Sequence, residues 1–160
     1  MRRLAATIIL AAALPLGAAM AETVAETMGK AGLLGAWAVD CATAAAADNP
    51  HLEFSRGSGG GVTQQLRFGQ AVMSVAVDAA ELTGGSTARL HETYLSGFGP
   101  KDGRSFDIWL TLTPDHRQYR SMRSIGSDGV VHIEDGIVTA TGKQSVAMRK
   151  CGEAAAAPAS

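Results

Sequence analysis

Two His-x-Glu pairs, His51/Glu53 and His132/Glu134, are the side chains of this sequence best spaced for metal chemistry. On a strand, positions i and i+2 project from one face about 6–7 Å apart, so a pair can offer an imidazole and a carboxylate to one ion. Zinc asks for three or four such ligands. His91 or His116 would complete a set only if the fold carried it there. The competing reading is polar positions on half-exposed strands, and on balance the sequence implies no metal site and no cofactor. A second concentration is basic: Arg117, Arg120 and Arg123, with Lys101 and Arg104 upstream. Guanidinium forks match carboxylate and phosphate, so such a cluster beside a cavity mouth would hold an anionic group. On a solvated face the same residues make only weak ion pairs. If the stretch is a strand, Arg117, Tyr119 and Arg123 share one face and Arg120 takes the other. Arg120 and Arg123 are therefore candidate ligand-binding residues.

Covalent catalysis finds no support. There is no G-x-S-x-G nucleophile elbow. The Gly57–Gly61 run lacks the Lys and Ser/Thr of a phosphate-binding loop and reads as a hairpin connection. The expectation is a protein without enzymatic activity.

The two cysteines, Cys41 and Cys151, raise a question of compartment. Arg2 and Arg3, the apolar stretch Leu4–Leu16 and the small-residue site Ala19-Met20-Ala21 together read as a secretory signal peptide covering residues 1–21. The apolar run is short of the ~20 residues a bilayer span needs, and nothing later approaches that length. Two cysteines in an exported chain point to one disulfide, with two free thiols as the alternative. A closure over 110 positions would contribute roughly 4–5 kcal/mol on a chain-entropy view. A periplasmic or secreted location follows. Cleavage after Ala21 leaves 139 of the 160 residues, with 12 basic and 15 acidic side chains. That suits one domain, and a net charge of −3 lacks the basic excess of a nucleic-acid binder.

These residues must be positioned by β structure. Residues 22–34 read as a helical lead-in, opened by the capping box Thr23-x-x-Glu26. Residues 35–151 read as the folded domain, and 152–160 as a disordered Ala/Pro tail. Trp37, Val39 and Cys41 alternate with Ala36, Ala38 and Asp40, the period of a half-buried strand over Gly35–Cys41. Ala42–Asn49 is an Ala-rich connection with room for a helical turn. Further strands are expected over 51–56, 62–68, 71–78 and 87–95. In "SFDIWLTLT", Phe106, Ile108, Leu110 and Leu112 share a face, opposite Asp107, Trp109 and Thr111. Asp102-Gly103, Asp128-Gly129 and Asp135-Gly136 mark tight hairpins. Eight to ten short antiparallel strands at even spacing predict an all-β meander closing into a barrel, which leaves few open edges; a sandwich is the alternative. First and last strands of a barrel are neighbours, which would place Cys41 and Cys151 across the closing seam.

Gly35-x-Trp37 after a short helix, followed by a meander, resembles the start of lipocalins and related calycin barrels. The resemblance implies that Trp37 closes the barrel bottom and that a late Arg packs across it, with Arg149 the matching position and Arg123 a weaker one. The sequence departs from that family in lacking a central Thr-Asp-Tyr motif and in the placement of its cysteines. The stretch "QYRSMRSIGSDGVVHIEDGIVTATGK" also resembles a group of small exported proteobacterial proteins, which implies export and a barrel-like domain over Gly35–Cys151.

With only eight aromatic residues and many small side chains, the barrel interior has room for a guest. The first expectation is an exported barrel binding a small, apolar or amphipathic molecule, with Trp37, Arg120, Arg123 and Arg149 as ligand-binding candidates. The second is an inhibitor or interaction module acting on another exported protein, such as a protease or lysozyme. It would use the loop "LSGFGPKDGRS" with Phe98 at its tip, and Trp109 as an outward aromatic contact.

Overall fold

The computed structural model describes residues Glu22–Gly152. The signal peptide and nearly all of the disordered tail expected from the sequence lie outside the described residues.

The chain enters through a helix, α1 (Val24–Lys30). Thr23 caps it, accepting a hydrogen bond from the Glu26 backbone while the Glu26 carboxylate receives the Thr23 N–H at 2.8 Å, which completes the expected capping box. Ala25 and Met28 lie three positions apart on one face and are buried. With Ala31 and Leu33 they join the barrel core, so the helix closes one end.

The strands are β1 (Gly35–Ala38), β2 (His51–Arg56), β3 (Val62–Phe68), β4 (Ala71–Leu82), β5 (Thr87–Ser96), β6 (Ser105–Leu112), β7 (Gln118–Gly126), β8 (Val131–Glu134), β9 (Ile137–Val138), β10 (Lys143–Gln144) and β11 (Ala147–Lys150). Strands β1 to β7 pair in sequence order, and β11 bridges β7 back to β1. The result is a closed antiparallel barrel of eight strands, the predicted architecture. The remaining three strands, β8 to β10, leave the ring from β7 and fold over one end of it. Asp135 and Gly136 form the two-residue turn between β8 and β9, both with positive φ, as a tight hairpin requires.

Trp37 is fully buried at the helix end. Its indole N–H donates to the Leu33 carbonyl at 2.8 Å, and its ring meets Tyr119 edge-on at 4.8 Å. The resemblance placed Arg149 across this Trp; the cation there is its neighbour Lys150. The Lys150 ammonium lies 5.5 Å from the Trp37 ring centre and donates to the Gly32 carbonyl at 2.6 Å, whereas Arg149 is exposed. The reason is parity, since successive strand side chains take opposite faces. His116, in the turn between β6 and β7, also reaches this end, its Nδ1 lying 2.8 Å from the Ala31 carbonyl.

Cys41 and Cys151 form the expected disulfide, with Cα atoms 5.5 Å apart. The first strand is shorter than predicted, ending at Ala38 rather than Cys41. The chain then doubles back over the β1–β11 seam, which brings Cys41 to Cys151. No helical turn forms over Ala42–Asn49. The buried Asn49 side chain organises that segment instead, accepting from the Asp40 N–H at 2.8 Å and donating to the Asp40 carbonyl and to Thr43. Strand β4 runs to Leu82, beyond the predicted Asp78, because Asp78 is accommodated as a bulge and accepts a hydrogen bond from Thr93 at 2.7 Å.

Candidate functional site

The inward faces of the barrel enclose a cavity of about 570 Å³ that opens at the end opposite the helix. The predicted alternation on β6 supplies part of its wall, through Phe106, Ile108 and Leu110. On β5 the same alternation points Ala88, Leu90, Glu92 and Tyr94 inward. The first two pack in the closed end, Glu92 lies midway, and Tyr94 stands near the mouth, half-buried. On β3, Val62, Gln64, Leu66 and Phe68 follow the same rule, so Gln64 is carried into the interior. Strand β7 adds Tyr119, Ser121 and Ser124.

Glu92 is the unusual member of this wall. It is 2% exposed, among apolar side chains, and opens onto the cavity without a hydrogen-bond or ion-pair partner among the described residues. Burial pushes its carboxyl up to about 8, and the negative charge of Asp78 on β4 adds to the shift. At neutral pH it is therefore mostly a neutral acid. Burial also raises the phenols of Tyr94 and Tyr119, with the Glu92 charge contributing in both.

Aromatic rings frame the mouth. Phe98 stacks on Tyr94 at 3.9 Å, and Tyr94 meets Phe106 at 4.6 Å. This corrects the expectation that Phe98 is the outward tip of an insertion loop. Its ring is half-buried and lines the cavity. The fold-back is set by Gly97, whose φ of +89° suits glycine and whose position leaves no room for a Cβ, which would lie 2.6 Å from the Val72 carbonyl oxygen. The other side of the mouth is β8 to β11, through Ile133, Val138, Lys143 and Val146.

None of the four ligand-binding candidates lines this cavity. Trp37 belongs to the core beneath it, and Arg149 is exposed. Arg120 donates to the Ser145 carbonyl, helping hold β11 to β7. Arg123 does not share a face with Tyr119, because Met122 forms a bulge: Trp109 pairs with Arg123 while Leu110 pairs with Ser121. The bulge reverses the alternation, sending Arg123 outward and Ser124 inward. Trp109 lies on the outer face as predicted, but its ring is flanked by guanidiniums, Arg89 at 5.2 Å and Arg123 at 5.4 Å. Arg123 pairs with Glu134, and Arg89 with Asp107, both at 3.2 Å. Asp107 is raised by partial burial but lowered more by hydrogen bonds from His91 and Arg89, and so sits below the usual carboxylate range.

The His-x-Glu pairs do not converge. His51 faces the Asn49 amide at 3.2 Å, and Glu134 is engaged by Arg123. Among the described residues no group of three or more potential ligands surrounds a point where an ion could sit.

Glu92 and Gln64 escaped the sequence reading although the signal was present. Each shares its parity with apolar residues on a clean strand, Leu90 and Tyr94 for one, Val62 and Leu66 for the other. A polar residue at an inward position of a barrel is the mark of a lined cavity.

No protein-family model matches the chain, and neither the curated proteins nor the solved structures give a significant match. The fold and cavity define a class on their own account: a disulfide-bonded eight-stranded antiparallel barrel with an apolar, open-ended interior. No helix among the described residues is long and apolar enough to cross a membrane.

Proposed function

We propose that the protein is an exported, non-enzymatic barrel of the lipocalin-like kind that holds a small apolar or amphipathic molecule, in the periplasm or outside the cell. The observation that carries this reading is the cavity. Small-molecule sites occupy about 300–1,000 Å³ and are lined mainly by apolar and aromatic groups with a few placed polar ones. The barrel interior, at about 570 Å³, has that size and that lining. A sequence without a G-x-S-x-G nucleophile elbow supports binding without chemistry, and the disulfide supports an oxidising compartment.

Native mass spectrometry on protein taken from its own host tests the reading. A non-covalent adduct that disappears on denaturation is the expected result. A bare native mass, with another exported protein co-purifying in fixed ratio, would replace it by the interaction-module reading.

A further inference from the structure

We propose that the barrel selects apolar molecules carrying a basic nitrogen, whose ammonium N–H groups seat against the Glu92 carboxylate inside the cavity. The inference rests on the small-molecule reading above and names the chemistry of the guest.

Three observations converge on it. First, Glu92 is a carboxyl group 2% exposed, aimed into an enclosed apolar space, with no cation and no hydrogen-bond donor engaged to it among the described residues. A buried carboxyl without a partner is costly to keep, and a fold that needed only a filled core would place a Leu there. The cavity-lining residues of β3 and β6 are neutral, among them Gln64 on one and, on the other, Ile108 and Phe106, which pairs with Glu92 across the ladder. The remaining titratable groups near it are acidic in kind, Asp78 on β4, Tyr94 on β5 and Tyr119 on β7. The interior thus offers one ionisable carboxyl and, among the described residues, no base beside it. Second, the way in passes the rings of Tyr94, Phe98 and Phe106, whose faces attract cations. Third, the one basic side chain in the lining, Lys143, is exposed at the rim. Its charge is hydrated and screened, while Glu92 acts where the dielectric is low and a contact counts for more. The polarity of the cavity therefore favours a cationic guest over an anionic one.

Proton balance follows. An alkylammonium stays protonated to about pH 10, as lysine does. Glu92, raised by burial to about 8, must lose its proton to pair with it. Loading at neutral pH therefore releases a proton from Glu92 to solvent, and affinity climbs close to tenfold per pH unit below that value before levelling.

Octylamine, octan-1-ol and octanoate, matched in chain and different in head group, are the probes, titrated calorimetrically into wild type, Glu92→Gln and Lys143→Met. The expected result at pH 8.5 is octylamine at least tenfold tighter than octan-1-ol. In Glu92→Gln that preference should vanish, while octan-1-ol changes less than threefold. In Lys143→Met, octylamine should change less than threefold. Proton release, read from buffers of different ionisation enthalpy, should approach one per octylamine at pH 7. The inference is overturned if octan-1-ol matches octylamine in the wild type, if Glu92→Gln leaves octylamine unchanged, or if octanoate binds tightest and is lost in Lys143→Met. In each of these cases the cavity still binds a small molecule. If none of the three probes binds the wild type, the small-molecule reading fails along with it.

Discussion

Replacing Glu92 by Gln keeps the shape of the side chain and removes its ionisation, which isolates one energetic quantity. In the unfolded chain this carboxyl titrates near 4.5, and in the ligand-free barrel near 8. A raised folded value means that the barrel accepts the protonated acid and resists the carboxylate. The associated stability is whole below about pH 4.5, falls as pH rises, and is gone above about pH 8, where both states are ionised. Each unit in that window costs about 1.4 kcal/mol, and the full window about 5 kcal/mol. A domain of this size has about 5–15 kcal/mol in all, so the effect should dominate the pH profile. Between pH 5 and pH 8 the stability of Glu92→Gln relative to wild type should therefore rise by about 3–4 kcal/mol. Urea unfolding of both ligand-free proteins at the two pH values reads this directly. Parallel pH profiles would refute the reasoning, since they would mean that cavity water solvates the carboxylate as well as bulk water does.

Two further outcomes follow from the structure. Reduction of the Cys41–Cys151 bond, or its replacement by Cys41→Ser with Cys151→Ser, should cost roughly 4 kcal/mol in urea unfolding, because it closes a loop over 110 residues; a loss under 1 kcal/mol would mean that the unfolded chain is already constrained. Phe98→Ala opens the mouth without touching the closed end, so stopped-flow release of a bound apolar probe should quicken at least tenfold while thermal stability changes little; an unchanged release rate would place the gate elsewhere.

Much of the barrel was legible because it is built on alternation. Phe106, Ile108 and Leu110 announce an inward face by spacing alone, and the Thr23/Glu26 box and the Asp-Gly turns carry their own local chemistry. The pairing of Cys41 with Cys151 was legible for a different reason: a closed ring makes its ends neighbours. What spacing could not show were the places where alternation breaks. Met122 and Asp78 occupy bulges that shift the parity of all that follows, and a bulge is decided by how two strands fit, not by either alone. That is why Arg123 and Tyr119 seemed to share a face. For the candidate site, clustering in sequence was a poor guide. Charged residues gathered in sequence, Arg117 to Arg123, ended on the outer wall or in backbone contacts. Glu92, which opens onto the cavity, stood apart from them in "ARLHETY", with Leu90 and Tyr94 at the same parity.

Strand β7 hydrogen-bonds to three others. Its first half is held by β6 and β11, its second by β6 and β8. Where its pairing with β11 ends, β7 pairs with β8 instead, and among the described residues no ladder joins β10 to a ring strand. Ile133 and Val138 of these strands and the 51%-exposed Val146 line the cavity on this side, so its border there rests on short elements held to the ring through β7. A guest held at such a border would be free to leave part of itself outside. The enclosed portion is limited in girth by the ring of eight strands, whereas its overall length is not limited, so the barrel would sort molecules by the width of the end they insert and tolerate variation in the remainder.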